Sequence, residues 1–344
     1  MSLKKASRKN FVNFINELIQ TENVIGVQAK GERFDFAPLK SAEDLRLDYD
    51  VTLLPPKRFF QPTTETLLTF GSEGQCQSEI DRGKFILIGV HPYDMIAINQ
   101  LDKVFSENYC DTHYVIRRQN ATIIACDVVA ASKNVFASSM GTATVKDGFD
   151  ILLTEIGDDY IAEAATEKGE SLLKKLKGAA NADAKDLKQR QQVQENNQKS
   201  LNKHILKCSL KDIPKLLDKA YKHAVWEEKA KTCFSCGSCN TVCPTCYCFN
   251  VQDCLNWDLK SGQRMRNWDG CLLDGFTLVA GGHEFRKNRA DRFRHRLYRK
   301  GKYVPEKIGC ETACVGCGRC VGACLPDIAN PVNIYNRLVD DLGV

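Results

Sequence analysis

The chain has 344 residues, enough for two domains with real cores, and combines 43% hydrophobic with 26% charged residues. That composition is ordinary for a soluble protein, and a net charge of +5 is too mild to imply nucleic acid by itself. Seventeen cysteines are many, but a disulfide-stapled secreted protein is normally short and carries an export signal.

In "MSLKKASRKNFVNFINELIQ", Phe11, Phe14, Ile15, Leu18 and Ile19 fall at helical spacing. The opening is therefore predicted as an amphipathic helix and not as the unbroken apolar core of a signal peptide. No run approaches the roughly 18 apolar residues of a membrane-spanning helix. No membrane span is expected, and the expected location is the reducing cytoplasm.

Residues 1–165 are predicted as a mixed α/β N-terminal domain. "KFILIGV" (84–90), "TIIACDVV" (122–129) and "FDILLTEI" (149–156) are short β-prone runs bounded by turn formers, and "YDMIAINQLDKVF" (93–105) is helical. The prolines of "LLPPKRFFQPTTE" (53–65) require an extended connection. Residues 166–207 begin with a Lys-, Gln-, Glu- and Ala-rich stretch that predicts an exposed helical arm or linker. "LKDIPKLLDKAYKHAVWEEKAKTC" (210–233) then predicts one helix leading into a largely helical domain over 208–344, so the fold class is α+β.

Thirteen of the cysteines lie between Cys233 and Cys324. Cys233, Cys236, Cys239 and Cys243-Pro244 repeat in spacing as Cys314, Cys317, Cys320 and Cys324-Leu325-Pro326. That double pattern is the ligand spacing of a two-cluster ferredoxin-like 4Fe-4S core, in which the last cysteine of each run ligates the other cluster. The predicted sets are Cys233, Cys236, Cys239 and Cys324 for one cage and Cys314, Cys317, Cys320 and Cys243 for the other. Structural zinc explains one four-cysteine run, but not the same pattern twice. Gly237 and Gly318 occupy the same place in both runs, where tight winding asks for φ > 0 or close backbone approach to sulfur.

Cys246, Cys248, Cys254, Cys271 and Cys310 are additional. Their spacing matches no common ligand motif, so the first expectation is buried reduced thiols beside the clusters. A third iron–sulfur centre or a zinc site is the alternative.

The two runs are separated by a long insertion, 244–313. Its basic segment contains Arg286, Lys287, Arg289, Arg292, Arg294, Arg296, Arg299, Lys300 and Lys302, opposed only by Asp291. Phe285, Phe293, Leu297 and Tyr298 supply an apolar seat. The segment is expected to guide an acidic redox partner, with a hydrated helical face as the plainer alternative. Nucleic-acid binding is not expected, since no RNA- or DNA-binding motif accompanies the charge. "GVHPYD" (89–94) follows a predicted strand and ends it at either a structural turn or a functional surface. No constellation of catalytic residues emerges.

The sequence resembles the iron–sulfur β subunits of sulfhydrogenases and the related A subunits of anaerobic sulfite reductases. The similar stretches are "CFSCGSCNTVCPTCYCF" (233–249), "HEFRKNRADRFRHRLYRKGKYVP" (283–305) and "CVGCGRC" (314–320). Upstream, "IGVHPYD" (88–94), "LDKVF" (101–105), "ASSMGTA" (137–143) and "GFDILLTEIGDDYIAEAATEKGESLL" (148–173) follow in the family's order. The resemblance implies an electron-transfer subunit in a hetero-oligomer. The expected relay passes single electrons between a flavin/NAD(P)H- or ferredoxin-linked reductase partner and a catalytic oxidoreductase subunit, hydrogenase-like or sulfite-reductase-like. The resemblance places flavin and nicotinamide on the reductase partner, and none of the chemistry of bond breaking on this chain. It carries the cluster-ligand role to the eight cysteines of the two runs.

The match has departures. Tyr93 stands where relatives have a cysteine, and "NVFASSMG" (134–141) lacks a Cys-Phe-Cys element that relatives carry ahead of the Ser-Met-Gly. A centre held by those cysteines in relatives is not expected here. Cys310 is not a family element, and "CLPD" replaces the usual "CP". Two competing expectations are a self-contained flavin-dependent reductase with its pocket in residues 1–165, and a nucleic-acid-binding iron–sulfur protein using 286–302.

Overall fold

The apolar runs of the N-terminal half form parallel strands buried on both faces, as near-continuous Val, Ile and Leu require. The computed structural model describes residues 2–343. Its strands are β1 (Leu3–Ser7), β2 (Val24–Lys30), β3 (Arg33–Pro38), β4 (Thr64–Phe70), β5 (Cys76–Ser78) and β6 (Phe85–Val90). They continue as β7 (Ala121–Cys126), β8 (Ile151–Ile156), β9 (Asp159–Ala164), β10 (Ala180–Asn181), β11 (Phe249–Leu255) and β12 (Gly262–Trp268). Eight of them make one mixed sheet in the order β10-β1-β9-β8-β7-β6-β2-β3. β2, β6, β7 and β8 run parallel at its centre, and antiparallel strands flank them.

The predicted strands at 84–90, 122–129 and 149–156 are β6, β7 and β8. The first helix, α1 (Arg8–Thr21), begins later than expected because Leu3–Ser7 joins the sheet against β9. Ser7 caps it by accepting from the Asn10 amide at 3.2 Å, and Phe11, Phe14, Ile15 and Leu18 are buried. α2 (Pro92–Ser106) starts with proline at its first position, directly after β6, and α3 (Thr112–Asn120) leads into β7.

α4 (Glu167–Leu173) and α5 (Ala184–Ser200) lie in the segment expected as an arm. α5 is helical and mostly exposed, but it is not free. Asp186 is paired with Lys5 at 2.8 Å, Arg190 with Glu163, and Gln194 reaches Asp127 at 3.4 Å, so polar anchors hold it to the sheet where apolar ones are lacking. The single helix expected over 210–233 is two, α6 (Ile213–Lys219) and α7 (Val225–Thr232), broken at Ala220–Ala224. The break lets the Trp226 indole donate to the Ala220 carbonyl at 2.7 Å.

The C-terminal region is largely helical: α8 (Ser238–Thr241), α9 (Arg289–Tyr298), α10 (Val304–Ile308), α11 (Arg319–Gly322) and α12 (Pro331–Leu342). Its insertion contributes the β11–β12 hairpin, and β12 pairs with β4 to make a second sheet, β11-β12-β4-β5. Two distant parts of the chain are thereby sewn together. Buried Glu65 on β4 accepts from Arg266 of β12 at 2.7 Å and from Arg117 of α3 at 2.6 Å. Among the described residues no helix is long and apolar enough to cross a membrane.

Candidate iron–sulfur site

The two cysteine runs share one backbone path. The third residue of each has positive φ, 52° at Ser235 and 62° at Gly316. The fifth does too, with 70° at Gly237 and 79° at Gly318, each capping a one-turn helix, α8 or α11. Glycine is also needed for space. A Cβ on Gly237 would stand 2.8 Å from Leu273, and one on Gly318 only 2.4 Å from the Asn134 carbonyl oxygen. The two short helices pack against each other and bring the runs face to face.

One cavity is walled by Cys243, Cys314, Cys317 and Cys320 together with Arg296 and Lys300. Cys243 comes from the first run and the other three from the second. Cys314, Cys317 and Cys320 all feel Cys243, and Cys239 feels Cys320 and then Cys324, so the two runs lie within electrostatic reach of each other. Burial pushes the Cys239 and Cys314 thiols up to about 12. Such thiols become thiolates only when a cationic centre binds them. Cys243 is instead lowered, by its hydrogen bond with Cys246 and by the nearby Lys300 and Thr245.

The charges around these sulfurs suit an anionic thiolate cage. Burial opposes the Arg296 charge, yet Cys239, Cys320 and Cys243 hold its pKa well above the ordinary value. Lys300 is buried, donates to Thr245 Oγ1 at 2.5 Å, and is raised in the same way by Cys243 and Cys246. Four thiols around one cavity, with fixed cations behind them, fit a 4Fe-4S cluster. The other set differs in exposure. Cys233 and Cys239 are buried, Cys236 is exposed, and Cys324 is half-buried beside Leu325, which is 90% exposed.

The second run is seated on the C-terminal ends of β6 and β7, where open α/β sheets place their ligands. The Phe136 amide donates to the Gly316 carbonyl at 2.8 Å, and Thr142 Oγ1 to the Val315 carbonyl at 2.8 Å. Arg319, inside the run, forks onto both oxygens of Asp94 at 2.6 Å and donates to the Thr52 carbonyl at 2.9 Å. His91 stacks on Tyr49 with ring centroids 3.9 Å apart, and its Nδ1 meets the Tyr93 hydroxyl at 2.6 Å. Burial and then Arg319 keep that imidazole neutral, well below its usual pKa. The "HPYD" turn thus forms the floor of the cysteine module. Sequence reasoning named the turn but missed Arg319 and Asp94. The available signal was an arginine between two cysteine ligands and an acid just past a strand end.

The basic segment requires a correction. Arg292, Arg296 and Lys300 are buried, so they cannot meet a docking partner. They recur at four-residue intervals and share the inward face of the helix with Phe293 and Leu297. Arg292 donates to the Lys287 carbonyl at 2.7 Å, and Arg296 to the Ala329 carbonyl at 3.1 Å. Arg299 lies 4.8 Å over Tyr247, Arg294 lies 4.0 Å over Tyr221, and Lys302 pairs with Asp218. Arg286 is half-buried, leaving Lys287 and Arg289 as the exposed members. Positive charge is drawn inward here because the sulfurs sit there.

The additional cysteines separate into two groups. Cys246, Cys248 and Cys271 line one cavity. Cys254 lies out on β11 opposite Gln263, and Cys310 contacts the Thr312 carbonyl at 3.4 Å. Among the described residues no three His, Cys, Asp or Glu side chains are gathered tightly enough for a single metal ion.

Two comparisons with known proteins bear on this arrangement. Residues 232–328 match the family model described as a 4Fe-4S dicluster domain. The sulfhydrogenase 2 subunit beta of Pyrococcus furiosus is 36% identical over 326 residues, covering 94% of this chain and 95% of that one.

Proposed function

The chain belongs to the sulfhydrogenase β-subunit family, and on that premise we propose that its crossed cysteine runs form a relay with one surface-facing and one enclosed cage. It is a non-catalytic electron-transfer subunit of an oxidoreductase complex and carries two 4Fe-4S clusters. Each such cluster takes up and gives out one electron at a time.

The proposal assigns Cys233, Cys236, Cys239 and Cys324 to the surface-facing cage. Cys314, Cys317, Cys320 and Cys243 hold the enclosed one. The observation that carries it is the cavity walled by Cys243 with three cysteines of the other run. Cys236 and the neighbourhood of Leu325 offer the exposed edge where a redox partner approaches. The Arg289 guanidinium, which donates to the Cys233 carbonyl at 3.1 Å, and Lys287 put positive charge beside it for an acidic partner. Arg296 and Lys300 stay inside and stabilise the thiolate-rich core. Residues 208–344 act as one dicluster unit on the floor provided by 1–165. The partners are a flavoprotein reductase subunit and a catalytic subunit of hydrogenase or sulfite-reductase type.

Cys243→Ser and Cys324→Ser test the ligand assignment by iron counting and electron paramagnetic resonance. Cys243→Ser should abolish the signal that Cys317→Ser also abolishes, and Cys324→Ser the signal lost with Cys236→Ser. Loss confined in each case to the cage of the residue's own run would refute the crossed assignment.

A further inference from the structure

We propose that Cys246, Cys248 and Cys271 hold a third iron–sulfur cluster beside the two of the relay. None of the three belongs to the eight-cysteine pattern, yet all line one cavity, whose wall also includes Asn240, Arg296, Arg299 and Lys300.

Asn240 is the first independent sign. It is 4% exposed, and its amide nitrogen points at two of the sulfurs, 3.3 Å from Cys271 Sγ and 3.6 Å from Cys246 Sγ. Hydrogen bonds of this kind to sulfur are among the means by which proteins tune iron–sulfur clusters. Its Oδ1 is buried with no partner, an arrangement that costs stability unless the site gains something from the amide's orientation. Gly270 allows the approach, since a Cβ there would stand 3.0 Å from Asn240 Cβ.

Charge is the second sign. Lys57 and Lys300 are both buried, and among the described residues neither pairs with a carboxylate. Lys57 Nζ donates to the Cys246 carbonyl and lies 4.0 Å over the Trp268 ring, and Lys300 Nζ donates to Thr245 Oγ1. Buried cations are retained where anions answer them. Lys300 also lines the neighbouring relay cavity, and Lys57 lines the adjoining space together with Asn240 and Cys248. Three thiolates around a sulfide-rich core supply that negative charge; three neutral thiols do not.

Size selects the occupant. The three sulfurs are not drawn together as a single ion requires, so a zinc or copper ion does not fit them. An iron–sulfur core spreads its thiolate ligands around a larger body. Three thiolates suit either a three-iron cluster or a cubane whose fourth iron takes a non-cysteine ligand.

The test is the metal content of the anaerobically isolated native complex, assigned per copy of this chain by comparison with a variant. The Cys248→Ser, Cys271→Ser double variant should lose about three or four irons with matching sulfide, and one paramagnetic signal. Three or four distinguishes the two core types, and the signals of the relay should persist. A chain holding only about eight irons, or a variant with unchanged iron, overturns the third cluster and leaves the relay standing. Zinc in stoichiometric amount, lost in the variant, overturns it too. If the variant does not fold, the count on the unaltered chain (about eight, or about eleven to twelve) decides alone.

Discussion

Arg319 and Asp94 face each other as a guanidinium fork on a carboxylate, both N–O distances 2.6 Å, although 225 residues separate them in sequence. Both side chains are buried, and the pair joins the second cysteine run to the first turn of α2. A bidentate pair fixes orientation as well as distance, so it holds Cys317 and Cys320, on either side of Arg319, against the sheet.

Breaking that pair from one side leaves a charge stranded in the core. Asp94→Asn should destabilise the protein by about 3–5 kcal/mol in denaturant unfolding and lower the occupancy of the enclosed cage. A change within about 0.5 kcal/mol, the range of an ordinary surface substitution, would show that the contact is dispensable.

Glu65 plays the matching part for the hairpin. It answers Arg117 and Arg266, and Asp111 adds a second acid to Arg266. Glu65→Gln should cost about 3–5 kcal/mol and expose the β11–β12 hairpin to limited proteolysis before global unfolding. Unaltered cleavage rates at 249–268 would contradict this role.

Gly318 and Gly282 separate backbone strain from crowding. Both have positive φ, 79° and 76°, but a Cβ at Gly282 meets nothing within 4 Å, whereas one at Gly318 strikes the Asn134 backbone. Gly282→Ala should cost about 1–2 kcal/mol, the left-handed penalty alone. Gly318→Ala should cost more and reduce bound iron, as read by thermal unfolding and metal analysis. Equal effects at both sites would remove the close-approach argument.

His295 gives the fold an acid-sensitive component. Burial, then Arg286, Arg299 and Arg294, lower its pKa to about 4, against roughly 6.5 when unfolded. Between those values the unfolded chain binds the proton and the folded chain does not. Stability is therefore full above about pH 6.5 and falls as pH drops towards 4. After allowance for partial exposure the loss is about 1–2 kcal/mol. His295→Gln should flatten that slope in unfolding titrations between pH 7 and 4.5, and an unchanged slope would assign the acid sensitivity elsewhere.

Local signals carried much of the architecture. After Lys84, "FILIGV" is continuously apolar and became the buried strand β6, and the matched spacing of the cysteines with Gly237 and Gly318 announced two loops of one shape. What stayed hidden depends on partners far along the chain. Leu3–Ser7 is too polar to read as a strand, and it becomes one by pairing with β9 and β10. The β12–β4 register has no sequence cue, because it joins residues 64–70 to 262–267. Arg296 and Lys300 resembled a docking face, since positive charge usually seeks water. Here buried sulfur reverses that preference.

The β4–β12 seam and the Arg319–Asp94 fork also bear on synthesis. When residues 64–94 leave the ribosome, the strand that will cover β4 and the arginine that will neutralise Asp94 have not yet been translated. The amino-terminal half must wait with an open sheet edge and an unanswered acid. Completion of the native state, and with it loading of iron and sulfide into the enclosed cage, therefore falls after translation has passed Arg319.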